Sequence, residues 1–196
     1  EMAPLSVTDG QTLALVGNDI RLDGGILLAE TGHIELAAIE QGTIELSSLT
    51  SPWEFKYDRT EQFGDIALMN RSLVDTSQLS SATTRGGSIG INGRDIQIEE
   101  ASIVLVQNLG TQPAGAIHVH ASRQLDVLGT NPIGDVLTGF KNQTIGEGTG
   151  GNIELQVGNL HVAEGAEIEA ATYGSGNSGN ISIEASDTIE IVGFSQ

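Results

Sequence analysis

Gly151-Asn-Ile-Glu-Leu-Gln-Val157 and Gly179-Asn-Ile-Ser-Ile-Glu-Ala185 decide the fold. Each opens on Gly-Asn and then alternates apolar and polar residues. A second alternating run follows each, Leu160-His-Val162 and Ile189-Glu-Ile191. The first runs lie 28 residues apart (Ile153 to Ile181) and the second runs 29 (Leu160 to Ile189). An earlier pair keeps this spacing, 28 from Ile89 to Ile117 and 29 from Ile96 to Leu125. A third run closes each unit, with Ala101-Ser-Ile-Val-Leu105 aligned to Ala166-Glu-Ile-Glu-Ala170. Period-two alternation puts one side of every run in a core and the other in solvent. No window keeps a 3.6-residue period, and glycine interrupts the chain about every ten residues, which argues against helices.

Three short strands per coil, recurring in phase, predict an all-β chain folded as a right-handed parallel β-helix. In the C-terminal half the coil is 28–29 residues. One coil cannot bury its own apolar side, so stability must come from stacking neighbours about 4.8 Å apart. The inward columns are then Ile89, Ile117, Ile153 and Ile181, and Ile96, Leu125, Leu160 and Ile189, all aliphatic. Residues 1–196 form a single such segment, about six to seven coils at this repeat length, cut from a longer protein. Two stretches depart from the period: 47–63 reads as a loop or flap, and 129–150 as a lateral excursion that stretches Ile117 to Ile153 to 36 residues. Coils before Gly64 are shorter and their register is loose.

Composition agrees. Aromatic residues are only 4%, so thin aliphatic layers must make the core, and 26 glycines supply turns. A net charge of −18 repels phosphate backbones and anionic lipid, excluding nucleic acid as a partner on this reading. The absence of cysteine excludes a disulfide scaffold and thiolate chemistry. No apolar run of 18 residues predicts a membrane-spanning helix, so no membrane insertion is expected. Open end coils are unpaired edges, so end-to-end self-association of the isolated chain is expected.

Trp53, Phe55 and Tyr57 alternate, which would put three rings on one side of an extended segment and form a surface for stacking on sugars; the plainer reading is an apolar cluster holding the loop down. His118 and His120 point outward beside Glu154 of the next coil, a set able to hold Zn²⁺ or Cu²⁺, against the plainer reading of a solvated strand face. His161 falls between Asp126 and Glu190 as surface charge pairing. Glu167 and Glu169 share an outward side and invite acid–base chemistry on a polysaccharide or a Ca²⁺ site, though a soluble acidic face is commoner. Gly32-His-Ile34 lacks the second glycine of polysaccharide hydrolases with this fold, and no aspartates are adjacent.

Longer stretches resemble a known family. Pro4-Leu-Ser-Val7, Gly10-Gln-Thr-Leu-Ala-Leu15, Phe63-Gly-Asp-Ile66, Gly86-Gly-Ser-Ile-Gly-Ile91, Gln107-Asn-Leu-Gly-Thr-Gln-Pro113, Gly129-Thr-Asn-Pro132, Thr149-Gly-Gly-Asn-Ile153 and Ile191-Val-Gly-Phe-Ser195 are similar to filamentous-haemagglutinin-like exoproteins of the cyanobacterial type. The resemblance implies a large secreted or cell-surface adhesin, exported by two-partner secretion through an outer-membrane transporter. The family's Asn-Pro-Asn-Gly-type secretion motif has its nearest match in Asn131-Pro-Ile-Gly134, out of place and altered. A repeat-region fragment without the secretion domain is therefore expected. The resulting expectation is a structural or adhesive repeat segment contacting glycans or other cell-surface components, with no catalysis and no cofactor. The alternatives are a polysaccharide-active β-helix enzyme and a non-catalytic carbohydrate-binding module.

Overall fold

The computed structural model describes residues 3–48, 52–78, 85–130 and 136–193. Among them there is no helix, only strands and turns. The strands are β1 (Leu5–Ser6), β2 (Thr12–Gly17), β3 (Ile20–Asp23), β4 (Ile26–Leu28), β5 (His33–Ser47), β6 (Glu54–Phe63), β7 (Ile66–Met69) and β8 (Leu73–Asp75). They continue with β9 (Ser88–Glu99), β10 (Ile103–Asn108), β11 (Ile117–Leu128), β12 (Gly139–Thr144), β13 (Ile153–Ala163), β14 (Glu167–Thr172) and β15 (Ile181–Ile191). One parallel ladder runs β1-β4-β8-β10-β12-β14, and a second runs β15-β13-β11-β9-β5-β2.

The aliphatic columns stand in register and reach the N-terminal coils. Leu13, Ile34, Ile89, Ile117, Ile153 and Ile181 pair in sequence, as do Ile20, Ile66, Ile96, Leu125, Leu160 and Ile189. Burial follows stacking. Ile34, Ile89, Ile117 and Ile153 are 0% exposed, whereas Ile181, on the final rung with one neighbour, is 42% exposed. The same residue type at the same column position thus owes its burial to the next coil, about 25 cal/mol per Å² of apolar surface covered.

Three features differ from the sequence expectation. In β9, β11, β13 and β15 the first two runs of the coil are joined as one long strand, whose register slips between Ala121 and Gln124 of β11. There β11 spends three positions where β9 spends two, from Gly93 to Asp95, which is why first runs repeat at 28 residues and second runs at 29. Secondly, Ile168 pairs with Phe140 and Phe140 with Val104, so 139–144 supplies a full rung between the two runs that had been aligned directly. The extra residues within 129–150 fall between the end of β11 at Leu128 and the start of β12 at Gly139; of these, 131–135, with Asn131-Pro-Ile-Gly134, lie outside the described residues. Thirdly, the stretch 47–63, expected as a loop or flap, is where described largely one arm of a hairpin, β6 pairing antiparallel with the second half of β5. It is inserted where β5 leaves the parallel ladder after Ala38, and β7 resumes that ladder against β9. Arg94 fixes the base of the hairpin, with a two-pronged contact to Asp65 at 2.9 Å and a third bond to Glu40 at 3.0 Å.

The turns between long and short strands repeat as well. Asn70 and Arg71, then Glu100 and Ala101, then Glu164 and Gly165 occupy the left-handed region in consecutive pairs. Non-glycine residues adopt it at a cost, which hydroxyls stacked beneath the turns help to offset. Ser72, Ser102 and Thr138 accept the backbone N–H of Gly25, Ser72 and Ala101 respectively. Before each first run the coils approach so closely that a Cβ at Gly151 would lie 1.8 Å from the Gly115 carbonyl oxygen. That approach requires the glycine of the Gly-Asn opening.

Candidate functional site

The hairpin lies over the outward side of the ladder that holds β5 and β9 and covers a polar cluster centred on Glu35. Alternation sends Ile34 and Leu36 into the core, so His33 and Glu35 point outward. The parallel register sets His33 beside Ser88 and Glu35 beside Gly90. A Cβ at Gly90 would come within 2.2 Å of Glu35 Oε2, so the glycine makes the space that the carboxylate fills. The Glu35 side chain is only 5% exposed. His33 Nε2 donates to Oε2 at 2.8 Å, Asn92 Nδ2 donates to Oε1 at 2.7 Å, and the Tyr57 hydroxyl donates to Oε1. A buried carboxylate with three donors is a satisfied charge.

Because a carboxylate only accepts, Nε2 of His33 carries the proton. In the neutral ring Nδ1 is then free to accept from the Ser88 hydroxyl, 2.8 Å away. Burial, and then the charge of Glu35, push the Tyr57 phenol far above its ordinary range, so it stays a donor. Ring contacts close the cluster: Phe55 against His33 with centroids 6.0 Å apart, Tyr57 against Phe63 at 6.1 Å, and Phe63 edge-on to His120 at 5.0 Å.

Of the three alternating rings, Phe55 and Tyr57 thus face the sheet. Trp53 stands apart, 39% exposed, with its backbone N–H on Thr12 Oγ1 at 3.2 Å. His118, His120 and Glu154 are not drawn together as a ligand set. His118 Nδ1 is 3.2 Å from Glu154, in an exposed pair of little energetic weight, while His120 packs on Phe63. Among the described residues no group of three or more His, Asp or Glu side chains could hold a metal ion. His161 meets Asp126 at 3.4 Å. Glu167 pairs with Lys141, and Glu169 accepts from Gln143 at 2.8 Å and from Tyr173 at 2.5 Å, so these two carboxylates are engaged with ladder neighbours. His33 entered the sequence reading only as an incomplete Gly-His-Gly match, and Glu35, Ser88 and Asn92 escaped it as site residues; the signal that could have found them is Gly90 facing Glu35 across one rung.

Two predictions arise here. Gly90→Ala should lower stability by about 1–3 kcal/mol, because a methyl group would displace a carboxylate locked by three donors; a urea unfolding midpoint checks it. Burial holds the His120 imidazole below its ordinary range. The unfolded chain then binds the proton more readily, so stability is full above about pH 6.5 and falls as pH drops below it. In denaturant unfolding, His120→Phe should show a smaller loss between pH 7.5 and pH 5 than the parent chain.

The chain is 23% identical over 201 aligned residues to the tRNA nuclease CdiA-2 of Burkholderia pseudomallei (strain 1026b). The match takes in 96% of this chain but 6% of that protein, so the chain spans a small part of a far longer relative. No family model matches, and no solved structure matches. The similarity corrects the expectation of a chain without catalysis, since the relative it matches is named as a nuclease.

Proposed function

We propose that this chain is a right-handed parallel β-helical segment of a large secreted, surface-exposed exoprotein, serving as a structural and adhesive stalk. The observation that carries this reading is the parallel register kept from Leu13 to Ile181, a stack that extends by adding coils and needs no closed core. Parallel crossovers are right-handed in about 98% of cases, which supports the right hand. The register slip in each long strand is a corner, so that a coil has three sides. Resemblance to filamentous-haemagglutinin-like exoproteins and similarity to one short stretch of a very long relative both support a repeat segment. Export of the whole protein through an outer-membrane transporter follows from the same resemblance.

Adhesion is assigned to the hairpin arm, where Trp53 is 39% and Leu46 51% exposed over a rigid base. An exposed indole stacks on sugar rings without costing the fold its core. On a glycan array the parent chain should bind where Trp53→Ala does not. If neither binds any glycan, carbohydrate adhesion is ruled out for this arm. The stalk reading would still stand on the register.

A further inference from the structure

We propose that Ser88 is a nucleophile toward carboxylic esters, activated by His33 and oriented through Glu35. Ser88 Oγ, His33 and Glu35 form one hydrogen-bonded chain with both links at 2.8 Å. This is the arrangement in which an imidazole removes a hydroxyl proton while a buried carboxylate steadies the resulting charge. All three residues sit on adjacent parallel strands, so their spacing is set by the ladder. Tyr57 and Asn92 hold the other carboxylate oxygen and act as positioning residues. The carboxylate is sealed beneath the hairpin, yet the serine is not. Ser88 borders an open cleft of about 820 Å³, together with Arg85, Gly86, Gly115, Gly151 and Asn152. That volume suits a small ligand, and the charged side chains lining it are of both signs, Arg85 with Asp9 and Glu30, beside His118. The cleft therefore fits a small polar ester.

In the reaction, Ser88 Oγ forms a bond to the ester carbonyl carbon as its proton passes to His33 Nδ1. The carbonyl electron pair moves to oxygen. His33 then gives that proton to the departing alkoxide as the C–O bond breaks, leaving an acyl-Ser88. Water attacks the acyl carbon, its proton again passing to Nδ1, and Ser88 leaves with that proton, releasing the acid. Nothing is oxidised or reduced, and water is the only co-reactant.

The test uses the full chain and a fluorophosphonate, which labels activated serines irrespective of their natural substrate. Peptide mass analysis should place the adduct on Ser88, and Ser88→Ala should abolish it. Labelling should slow by about 100-fold or more in His33→Gln, the usual contribution of a general base. Because the parent has no cysteine, Ser88→Cys carries a single thiol. Its alkylation by iodoacetamide should follow a thiolate formed well below the ordinary thiol range of about 8.5. This second readout stands even if the His33 variant fails to fold. Absence of an adduct on the folded parent, labelling of Ser88 at equal rate in folded His33→Gln, or an ordinary titration of the introduced thiol would each overturn the proposal.

Discussion

Glu35→Ala is expected to lower the unfolding free energy by about 3–5 kcal/mol, the loss typical when one partner of a buried charged network is removed. The carboxylate takes hydrogen bonds from His33, Asn92 and Tyr57, and its side chain is 5% exposed. Removing it leaves three donors beneath the hairpin with no acceptor, and each unpaired buried donor costs about 1–3 kcal/mol. Relaxation offsets part of that sum, because β6 is free to lift and let water in. Amide hydrogen exchange should therefore accelerate in β6 more than in β9 or β11. Glu35→Gln should lose less, since its one remaining oxygen still accepts from the cluster. A double-mutant cycle with Tyr57→Phe should show coupling of about 0.5–3 kcal/mol between the strand and the hairpin. Denaturant unfolding measures all of these changes.

Phe140→Ala should cost about 3–5 kcal/mol by the same measurement. Among the described residues Phe140 is the largest fully buried side chain, 0% exposed, and fills its rung between Val104 and Ile168. Those neighbours are β-branched and stiff at χ1, and their backbones are fixed by the ladder, so the vacated space cannot collapse. Phe140→Leu, which keeps most of the volume, should cost under about 1.5 kcal/mol. The contrast separates a filled rung from a ring that merely touches the core.

The second half of the fold was legible because its signal is redundant. Ile153 and Ile181 follow the same Gly-Asn opening, and their columns accept only aliphatic residues. The rung of β12 was not legible, since its inward positions are Phe140, Asn142 and Thr144, and period-two hydrophobicity disappears when a core position is polar. The buried Asn142 amide donates to the Gly115 carbonyl at 3.0 Å, a partner on a neighbouring turn that no local pattern reveals. The early register was hidden by the hairpin, which lies between Ile34 and its ladder partner Ile89. The Glu35 cluster was lost for the same reason. Its side chains come from three stretches, 33–35, 57 and 88–92, and only the closed ladder brings them together.

The stacked parallel register is tested most directly by engineered cysteine pairs, because the chain contains none of its own. Glu154 and Ser182 are direct ladder partners on adjacent rungs, while Glu190 lies beyond the register slip of the same strand. Glu154→Cys with Ser182→Cys should close a disulfide under mild oxidation, because ladder partners lie within the Cα separation of about 4.4–6.8 Å that the bond accepts. Glu154→Cys with Glu190→Cys should remain reduced. Closure of the second pair in preference to the first would contradict the register and, with it, the coil.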